Sequence, residues 1–335
     1  MVEAGPFVLT SLVQCTVNVT GNFRQFLFLQ MEKLLAQLDQ LKGWKLCSKK
    51  SVQALWNNYG EISRIEVEND CVRKSLIVKF INPFETKNTT SHLRKVNSYE
   101  VEARFYEKYA KNLSVKVPDY FGTIKLEHQR LIVLEDLSPR FPGLKRNQTK
   151  ISTNEKTHLI KWLAGFHGTF LGCEISDLSS RGTYWHLETR REELAVMKNL
   201  KLKKVAEKID QKLRALKYQT LVHGDAKLPN FCFGADSVAA VDFQYVGPGC
   251  GLADLWYLFC DSGYDFDQVL VEYFNELRLT TKIEDLESLE SEWREALPFI
   301  VADFERFLNG WCPGTHFRSS EYSQKMIDTA ISLLN

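Results

Sequence analysis

The chain has 335 residues, of which 44% are hydrophobic and 25% are charged, and its formal net charge is +1. This composition is typical of a globular protein with room for two lobes. The balanced charge gives no indication of a nucleic-acid partner, and no apolar run is long enough to predict a membrane span. Since there is no C-x-x-C spacing and no signal-peptide pattern, we expect reduced cysteines and a cytoplasmic location. No pattern indicates the oligomeric state.

The first part of the chain predicts a helical extension followed by a small β-rich lobe. Apolar side chains recur at helical spacing within residues 23–43, so residues 1–45 form the predicted extension. Residues 46–137 form the predicted N-lobe. Its β-prone runs begin around a turn-rich connection at residues 57–60. Its predicted elements are strands at 52–56, 62–67, 75–81, 120–124 and 130–135 and a helix at 97–111.

The remainder, residues 138–335, predicts a second and mainly helical lobe. A pair of β runs interrupts it near residues 220–223 and 238–243. The order of a β-rich lobe with one helix followed by a helical lobe indicates an α+β fold. The predicted helices lie near residues 153–172, 187–216, 252–262, 266–279, 284–308 and 319–334.

One segment carries the pattern of a catalytic centre, His223-Gly-Asp-Ala-Lys-Leu-Pro-Asn230, and Asp242 follows twelve residues later at the end of a second β run. Phosphoryl transfer needs a carboxylate to orient and deprotonate the acceptor, oxygen ligands for Mg²⁺, and positive charge near the phosphoryl group. Asp225 is the candidate catalytic base, and Asn230 and Asp242 are candidate metal ligands. Lys227 is either a cation that neutralises the transferred phosphate or a solvent-facing lysine.

This segment, together with Asp242-Phe-Gln244, resembles the motifs of the aminoglycoside phosphotransferase and choline kinase group. Within that group the chain is most similar to the ecdysteroid-kinase-like branch. Protein kinases have arginine where Gly224 stands and glycine where Gln244 stands, so the pattern favours a small-molecule kinase. The alternatives are a nucleotide-binding pseudokinase or scaffold and, with less support, a protein kinase.

The resemblance implies a protein-kinase-like, two-lobed fold, with a small antiparallel sheet and one key helix in the N-lobe and a larger helical C-lobe. It also implies that ATP and Mg²⁺ are the cofactors. The partner is a small-molecule hydroxyl acceptor that receives the γ-phosphate. The pattern does not identify that acceptor, which could be an amino alcohol, a sterol, an aminoglycoside or a sugar.

In the family that the motif resembles, a lysine on the third strand holds the α- and β-phosphates and pairs with a helical glutamate. Lys79 lies in an apolar strand, where a charge needs a partner or a ligand unless it reaches solvent at a sheet edge. Glu102 is the expected partner because Val101 and Phe105 form an apolar stripe beside it. Glu100 is the rival, on a different side of the helix.

Two further stretches of the N-lobe resemble nucleotide-binding segments. Gly60 permits a tight turn and Ser63 is a candidate phosphate donor, although a plain hairpin would show the same pattern. The segment after the last strand resembles the family's interlobe linker, whose backbone binds adenine. Its residues are Glu135, Asp136 and Leu137.

The remaining site predictions concern support and specificity. Asp254 matches a family aspartate that braces the catalytic loop, and His223 is expected to support the same loop. Aromatic residues near the catalytic aspartate could line the acceptor pocket or belong to the ordinary core. The candidates are Trp185, Tyr245 and Trp311.

Overall fold

The computed structural model describes residues 31–83, 89–127, 129–144, 150–312 and 320–335. The N-lobe contains a five-stranded antiparallel sheet in the order β1-β2-β3-β5-β4. Asp70 and Cys71 both have positive φ in the two-residue turn between β2 and β3, which is the geometry that a tight hairpin needs. The strands are β1 (Lys45–Ala54), β2 (Gly60–Asn69), β3 (Val72–Ile81), β4 (Tyr120–Leu126) and β5 (Gln129–Glu135).

The two faces of this sheet are buried by different partners. Along β3, Leu76 and Val78 pack on one face with Met31 and Leu35, which lie in a helical segment at residues 31–35. Residues 23–30 of the predicted N-terminal helix lie outside the described residues. The opposite face, which carries Lys79, is directed toward the C-lobe, because side chains alternate along a strand.

Helix α1 (Thr90–Lys108) lies between β3 and β4 and joins the two lobes. It begins where the Thr89 hydroxyl accepts a hydrogen bond from the N–H of His92, an N-cap of the usual kind. On its buried face, Phe105 stacks on Phe243 of the C-lobe with ring centroids 4.0 Å apart. The helix therefore packs on both lobes.

The C-lobe is mainly helical, as predicted, with one difference. The helix predicted over residues 187–216 is divided, because the Asn199 side chain accepts from the N–H of Leu202 and starts a new helix. No helix of the described residues has the length and hydropathy to cross a bilayer. The described helices are α2 (Thr153–Phe170), α3 (Arg191–Val196), α4 (Leu200–Arg214), α5 (Leu252–Phe259), α6 (Phe266–Thr280), α7 (Leu286–Trp311) and α8 (Glu321–Leu334).

Two small ladders in the C-lobe position the polar segment at residues 223–230. The catalytic motif connects β7 to β8, and Asp242 follows β9. Strand β10 pairs with β7, and β6 pairs with β8, which pairs with β9. The predicted α+β, two-lobed fold is confirmed. These strands are β6 (Gly143–Leu144), β7 (Thr220–Val222), β8 (Phe231–Phe233), β9 (Val238–Ala240) and β10 (Gly247–Gly249).

Candidate active site

The fully buried carboxylate of Asp254, in the first turn of α5, holds the loop after β7. It accepts hydrogen bonds from the N–H groups of His223, at 2.5 Å, and Gly224, at 2.9 Å. His167 Nε2 lies 3.2 Å from the same carboxylate, and its Nδ1 lies 2.7 Å from the hydroxyl of Tyr273. These bonds satisfy the buried charge and fix the loop backbone. Asp254 is therefore placed to support the loop backbone at His223 and Gly224.

The imidazole of His223 connects the catalytic loop to the strand that carries Asp242. Its Nδ1 accepts a hydrogen bond from the N–H of Asp225 at 3.3 Å. The proton is then on Nε2, which donates to the carbonyl of Val241 at 3.0 Å. Since both ring nitrogens are engaged with the backbone, His223 is placed to support the loop and not to act as a base.

Gly224 occupies a position that no larger residue could take. Its φ is +78°, and a Cβ placed on it would lie 2.1 Å from the carbonyl oxygen of Tyr245 and 2.7 Å from the nitrogen of Thr183. Both neighbours are backbone atoms, which cannot rotate away. The glycine that distinguishes this motif from that of protein kinases is therefore required by the local packing.

Asp225 is buried, and each of its carboxylate oxygens has a polar neighbour. Asn230 Nδ2 donates to Oδ2 at 3.0 Å, and Lys227 Nζ lies 2.9 Å from the same oxygen. The hydroxyl of Tyr257 lies 3.4 Å from Oδ1. Burial raises the pKa of Asp225, while the Lys227 ammonium acts in the opposite direction. The carboxylate is thus a stronger base than an ordinary aspartate.

Asp242 lies at the base of the cleft between the lobes, with 34% of its side chain exposed. Its φ is 71°, a left-handed conformation that costs a non-glycine residue on the order of 1 kcal/mol. Burial alone would raise its pKa, but the ammonium groups of Lys79, Lys95 and Lys227 outweigh burial and lower the pKa to about 2. The carboxylate is therefore ionised at any physiological pH.

Lys79 reaches both a helical glutamate and Asp242. Its Nζ lies 2.7 Å from Glu102 and 3.3 Å from Asp242. Burial lowers the pKa of Lys79, but the two carboxylates outweigh it and raise the pKa. Of the two glutamates considered, Glu102 is the one that pairs with Lys79, because Glu100 faces Arg130 and forms an ion pair with it.

The structure brings Gly60 to the turn before β2 but directs Ser63 away from the site. A Cβ on Gly60 would lie 1.9 Å from the carbonyl oxygen of Phe80, so the turn needs glycine. Ser63 pairs in register with Val78, whereas Ile62 pairs with Lys79. Ser63 is consequently on the sheet face opposite Lys79, and the prediction that its hydroxyl meets a phosphate is wrong. The sheet register, which one sequence does not reveal, decides this.

The side chains of the predicted adenine linker are committed to other contacts. Glu135 pairs with Lys116 at 2.5 Å. Asp136 accepts from Arg64 at 2.7 Å and from Ser75 at 2.6 Å. Adenine binding by the backbone of this linker stays a prediction.

The three predicted acceptor-pocket residues have different positions. Trp185 is 2% exposed and packs against Tyr257, so it belongs to the core and does not line a pocket, contrary to the prediction. Trp311 is 46% exposed at the end of α7 and stacks on Phe307. Tyr245 lies in the cleft, where burial and the charges of Asp225 and Asp242 raise its pKa to about 12.

Sequence reasoning missed Lys95, a second amine at the site. Its Nζ donates to the side-chain oxygen of Gln244 at 2.6 Å and lies over the rings of Tyr99 and Tyr245. Burial lowers its pKa, and the nearby Lys79 ammonium acts in the same direction. A signal existed in the sequence, because Lys95 precedes Glu102 by two helical turns and so shares its face.

The side chains of Asn230 and Asp242 offer oxygen atoms of the kind that Mg²⁺ prefers. The N–H of Val241 donates to the carbonyl of Asn230 at 2.9 Å, so the two loops are adjacent. The amide nitrogen of Asn230 is bonded to Asp225, which leaves its side-chain oxygen for another partner. The described residues contain no cluster of three or more metal-binding side chains. Two oxygen ligands fit Mg²⁺, which usually takes few protein ligands and keeps substrate phosphates and water.

Comparisons with known proteins show the family to which the chain belongs. A family model described as the phosphotransferase enzyme family matches residues 66–292, more than half of the chain. The chain belongs to this family. No curated protein matches it significantly. As the resemblance of the motif implied, a choline kinase is among the structural neighbours of this phosphotransferase.

Three solved structures illustrate the shared fold. A choline kinase from Cryptosporidium parvum Iowa II is 10% identical, with a TM-score of 0.52 and coverage of 92% of this chain and 94% of that chain. A protein from Thermobifida fusca YX-ER1 assigned as a fructosamine-3-kinase is 15% identical, with a TM-score of 0.51 and coverage of 90% and 99%. One from Haemophilus somnus 129PT with the same assignment is 15% identical, with a TM-score of 0.50 and coverage of 91% and 99%. The ecdysteroid-kinase-like branch, the cytoplasmic location and the lobe boundaries stay predictions.

Proposed function

We propose that this phosphotransferase is an ATP-dependent small-molecule kinase that transfers the γ-phosphate to a hydroxyl group. One observation carries the proposal: Lys79, Glu102 and Asp242 form a continuous set of ion pairs at the cleft, with distances of 2.7 and 3.3 Å. Asp225 lies on the adjoining loop: Asn230 donates to its carboxylate, and the N–H of Val241, the residue before Asp242, donates to the carbonyl of Asn230. Phosphoryl transfer needs these groups in one place and little other chemistry from the protein.

In this proposal Asp225 is the catalytic base. Its carboxylate orients the acceptor hydroxyl and takes the proton as the new O–P bond forms and the bond to the leaving ADP oxygen breaks. Lys227 contacts the same carboxylate, and 42% of its side chain is exposed, so its charge is available to the transferred phosphoryl group. The raised pKa of Asp225 makes it a better proton acceptor than an ordinary aspartate.

The other residues bind and orient the nucleotide and the metal. Lys79 pairs with the α- and β-phosphates, and Glu102 holds the ammonium in position. Asn230 and Asp242 are the proposed ligands of Mg²⁺, which when bound neutralises phosphate charge. Backbone groups near Leu137 accept adenine, since no described hydrogen bond uses the N–H of Leu137.

The deciding experiment removes the base. Asp225→Ala is expected to lower kcat about a hundredfold to ten-thousandfold while Mg·ATP still binds, because the phosphate and metal contacts remain. ATP consumption is measured over amino alcohols, aminoglycosides, sterols and sugars, and nucleotide binding by calorimetry. Asp236→Ala is the matched control, since Asp236 is an exposed aspartate in the turn between β8 and β9.

The outcomes separate the alternatives. Near-normal turnover by the Asp225→Ala variant would show that Asp225 is not the base. Asp242→Ala should weaken Mg·ATP binding, and unchanged affinity would remove it from the metal site. A wild-type protein that binds ATP but phosphorylates no acceptor would be a scaffold. Phosphorylation confined to a peptide library would indicate a protein kinase.

A further inference from the structure

A small cavity opens beside the catalytic loop, between α1 and the segment at residues 179–189. Its volume is about 120 Å³, equal to that of roughly four water molecules in the liquid. It is large enough for one polar group of a ligand but not for a whole sugar or sterol. Its lining includes Arg94, Ser98, Arg181, Tyr184, Gln244 and Tyr245.

Backbone contacts tie this cavity directly to the catalytic loop. The N–H of Tyr184 donates to the carbonyl of Gly224 at 3.1 Å, and the N–H of Thr183 donates to the carbonyl of Tyr245 at 3.2 Å. The hydroxyl of Tyr184 lies 3.2 Å from that of Tyr257, which in turn lies 3.4 Å from Asp225. A molecule with one end in the cavity therefore has its other atoms near the proposed base.

Two cations on the α1 side of this space have no carboxylate partner in the part of the chain that the structure describes. Arg94 donates to the backbone carbonyl of Thr189, and Lys95 donates to the amide oxygen of Gln244. Neither forms an ion pair with a described residue. Burial lowers the pKa of Arg94, and the nearby Arg190 acts in the same direction. A half-buried guanidinium without an ion-pair partner among the described residues favours an anionic ligand.

The other charges around the cavity do not cancel this excess. Arg181 pairs with Asp210 at 3.0 Å, so that carboxylate is already bound. Glu188 is exposed and lies 3.3 Å from Arg214. His186 is neutral, because burial and the surrounding arginines lower its pKa to about 3. Asp210 and Glu188 are thus held by arginines, and the charge of Lys95 is partly offset by Asp242, Glu102 and Asp225. Arg94 is therefore the cation of this group that remains available to a ligand.

Building on the kinase function proposed above, we propose that the acceptor is a hydroxylated molecule with an anionic group, a carboxylate, sulfate or phosphate. The anionic group binds in this cavity against Arg94, and the reacting hydroxyl faces Asp225. Arginine suits this role, since its guanidinium binds planar oxyanions through two parallel hydrogen bonds. A cationic amine in the same place would meet like charge at short range.

The first experiment compares acceptors that differ only in charge. Gluconate, gluconamide and glucamine share one polyol chain and end in an anion, a neutral amide and a cation, and cholate, its amide and its amine form a second set. We expect kcat/KM to be highest for the anionic member of a set that is turned over, by about tenfold or more over the amine. Glucose 6-phosphate and glucose 6-sulfate are tested alongside these sets. They show whether the site prefers a phosphate or a sulfate to a carboxylate.

The second experiment removes the arginine. Arg94→Gln should raise the KM of the anionic acceptor about ten- to hundredfold and abolish the preference over the neutral member, with the KM for ATP within about twofold of wild type. Arg104→Gln is the matched control, because Arg104 lies on the same helix and also donates to a C-lobe carbonyl, that of Asp177. Equal effects of the two substitutions on the acceptor KM would show that Arg94 only holds the two lobes together. That result would overturn the proposal.

A third measurement does not depend on turnover. Sodium sulfate should raise the melting temperature more than sodium chloride of equal ionic strength in the presence of Mg·AMP-PNP, in wild type and Arg104→Gln but not in Arg94→Gln. Identical sulfate protection of all three proteins, or preference for the amine acceptors, overturns the anion site. Sulfate protection that depends on Arg94, without ATP consumption for any acceptor, keeps the anion site and overturns the kinase function instead.

Discussion

At the scale of single residues, the site is governed by the opposing effects of burial and neighbouring charge on carboxylates. Burial acts to raise the pKa of both Asp225 and Asp242, yet only that of Asp225 is raised, while that of Asp242 is lowered to about 2. The difference follows from the cations, since Lys79 lies 3.3 Å from Asp242 and does not contact Asp225. In the proposed mechanism, the first carboxylate accepts a proton and the second stays ionised for a metal.

The effect of neighbouring charge on Asp225 predicts that substituting Lys227 changes the pH dependence of activity. Activity that needs ionised Asp225 should fall as the pH drops through its pKa, which lies above the ordinary aspartate value. Lys227 stabilises the ionised form, so Lys227→Gln should raise that pKa and move the acidic limb of the kcat/KM profile to higher pH. The control is Lys201→Gln, at an exposed site on α4. A limb that stays in place, or moves to lower pH, contradicts this assignment.

The same residues show what one sequence can and cannot predict. The Lys79–Glu102 pair could be predicted, because a charge in an apolar strand and a glutamate beside an apolar stripe each point to a buried partner. The direction of Ser63 could not, since it depends on which residue of β3 lies opposite. The burial of Trp185 could not be predicted from the sequence either, because aromatic residues occur both in pockets and in cores.

At the scale of elements, α7 supports the acceptor side of the site through buried charge. Arg306 has no exposed side-chain surface, and its guanidinium donates to Asp303 at 2.9 Å and to the carbonyl of Trp185 at 2.6 Å. The helix thereby fixes the segment at residues 179–189, which lines the cavity. An arginine is needed for this because it spans a carboxylate and a carbonyl at once.

Removing this arginine should be costly. Arg306→Met leaves Asp303 buried without its partner and the Trp185 carbonyl without a donor, so we expect the free energy of unfolding to fall by about 3–5 kcal/mol. Urea denaturation measures the change. Arg294→Met serves as the control, because Arg294 pairs with Glu290 on the exposed side of the same helix and should contribute about 1 kcal/mol or less. Equal losses in the two variants would contradict the proposed importance of burial.

Most of the longer elements were predictable from apolar periodicity, and the shorter ones were not. The division between α3 and α4 depends on an Asn199 cap within a continuous apolar pattern. The ladder of β7 with β10 contains only three residue pairs, and β10 is the sequence Gly-Pro-Gly. Such strands form because their neighbours hold them, so propensity carries no signal for them.

At the scale of the whole molecule, the two lobes share one hydrophobic core. A single cluster of buried side chains includes Ile132 of the N-lobe sheet, Phe105 of α1, and Trp162 and Phe243 of the C-lobe. The rings of Phe105 and Phe243 are almost parallel, at 17°. An N-lobe that packs in this way depends on the C-lobe for its own stability.

This shared core predicts cooperative unfolding. Far-UV circular dichroism and tryptophan fluorescence should follow one urea transition, although the two-lobed shape alone would permit two. Phe243→Ala should lower the free energy of unfolding by about 3–5 kcal/mol and keep the two probes coincident. Phe121→Ala, on the other face of the N-lobe sheet, should lower it by less because Phe121 is only partly buried. Two separate transitions in the wild-type protein would show that the lobes unfold independently.

The hydrogen bonds of Asp254 also bear on how such a protein can diverge. They fix His223 and Gly224 to α5, while the His223 imidazole is bonded to the carbonyl of Val241, so this loop is anchored at two distant points of the chain. The segment at residues 179–189 contributes more than half of the residues that line the cavity. Substitutions there alter the cavity and leave the phosphoryl-transfer groups in place. Under the proposed function, point mutations in this segment would change which acceptor binds without changing the reaction.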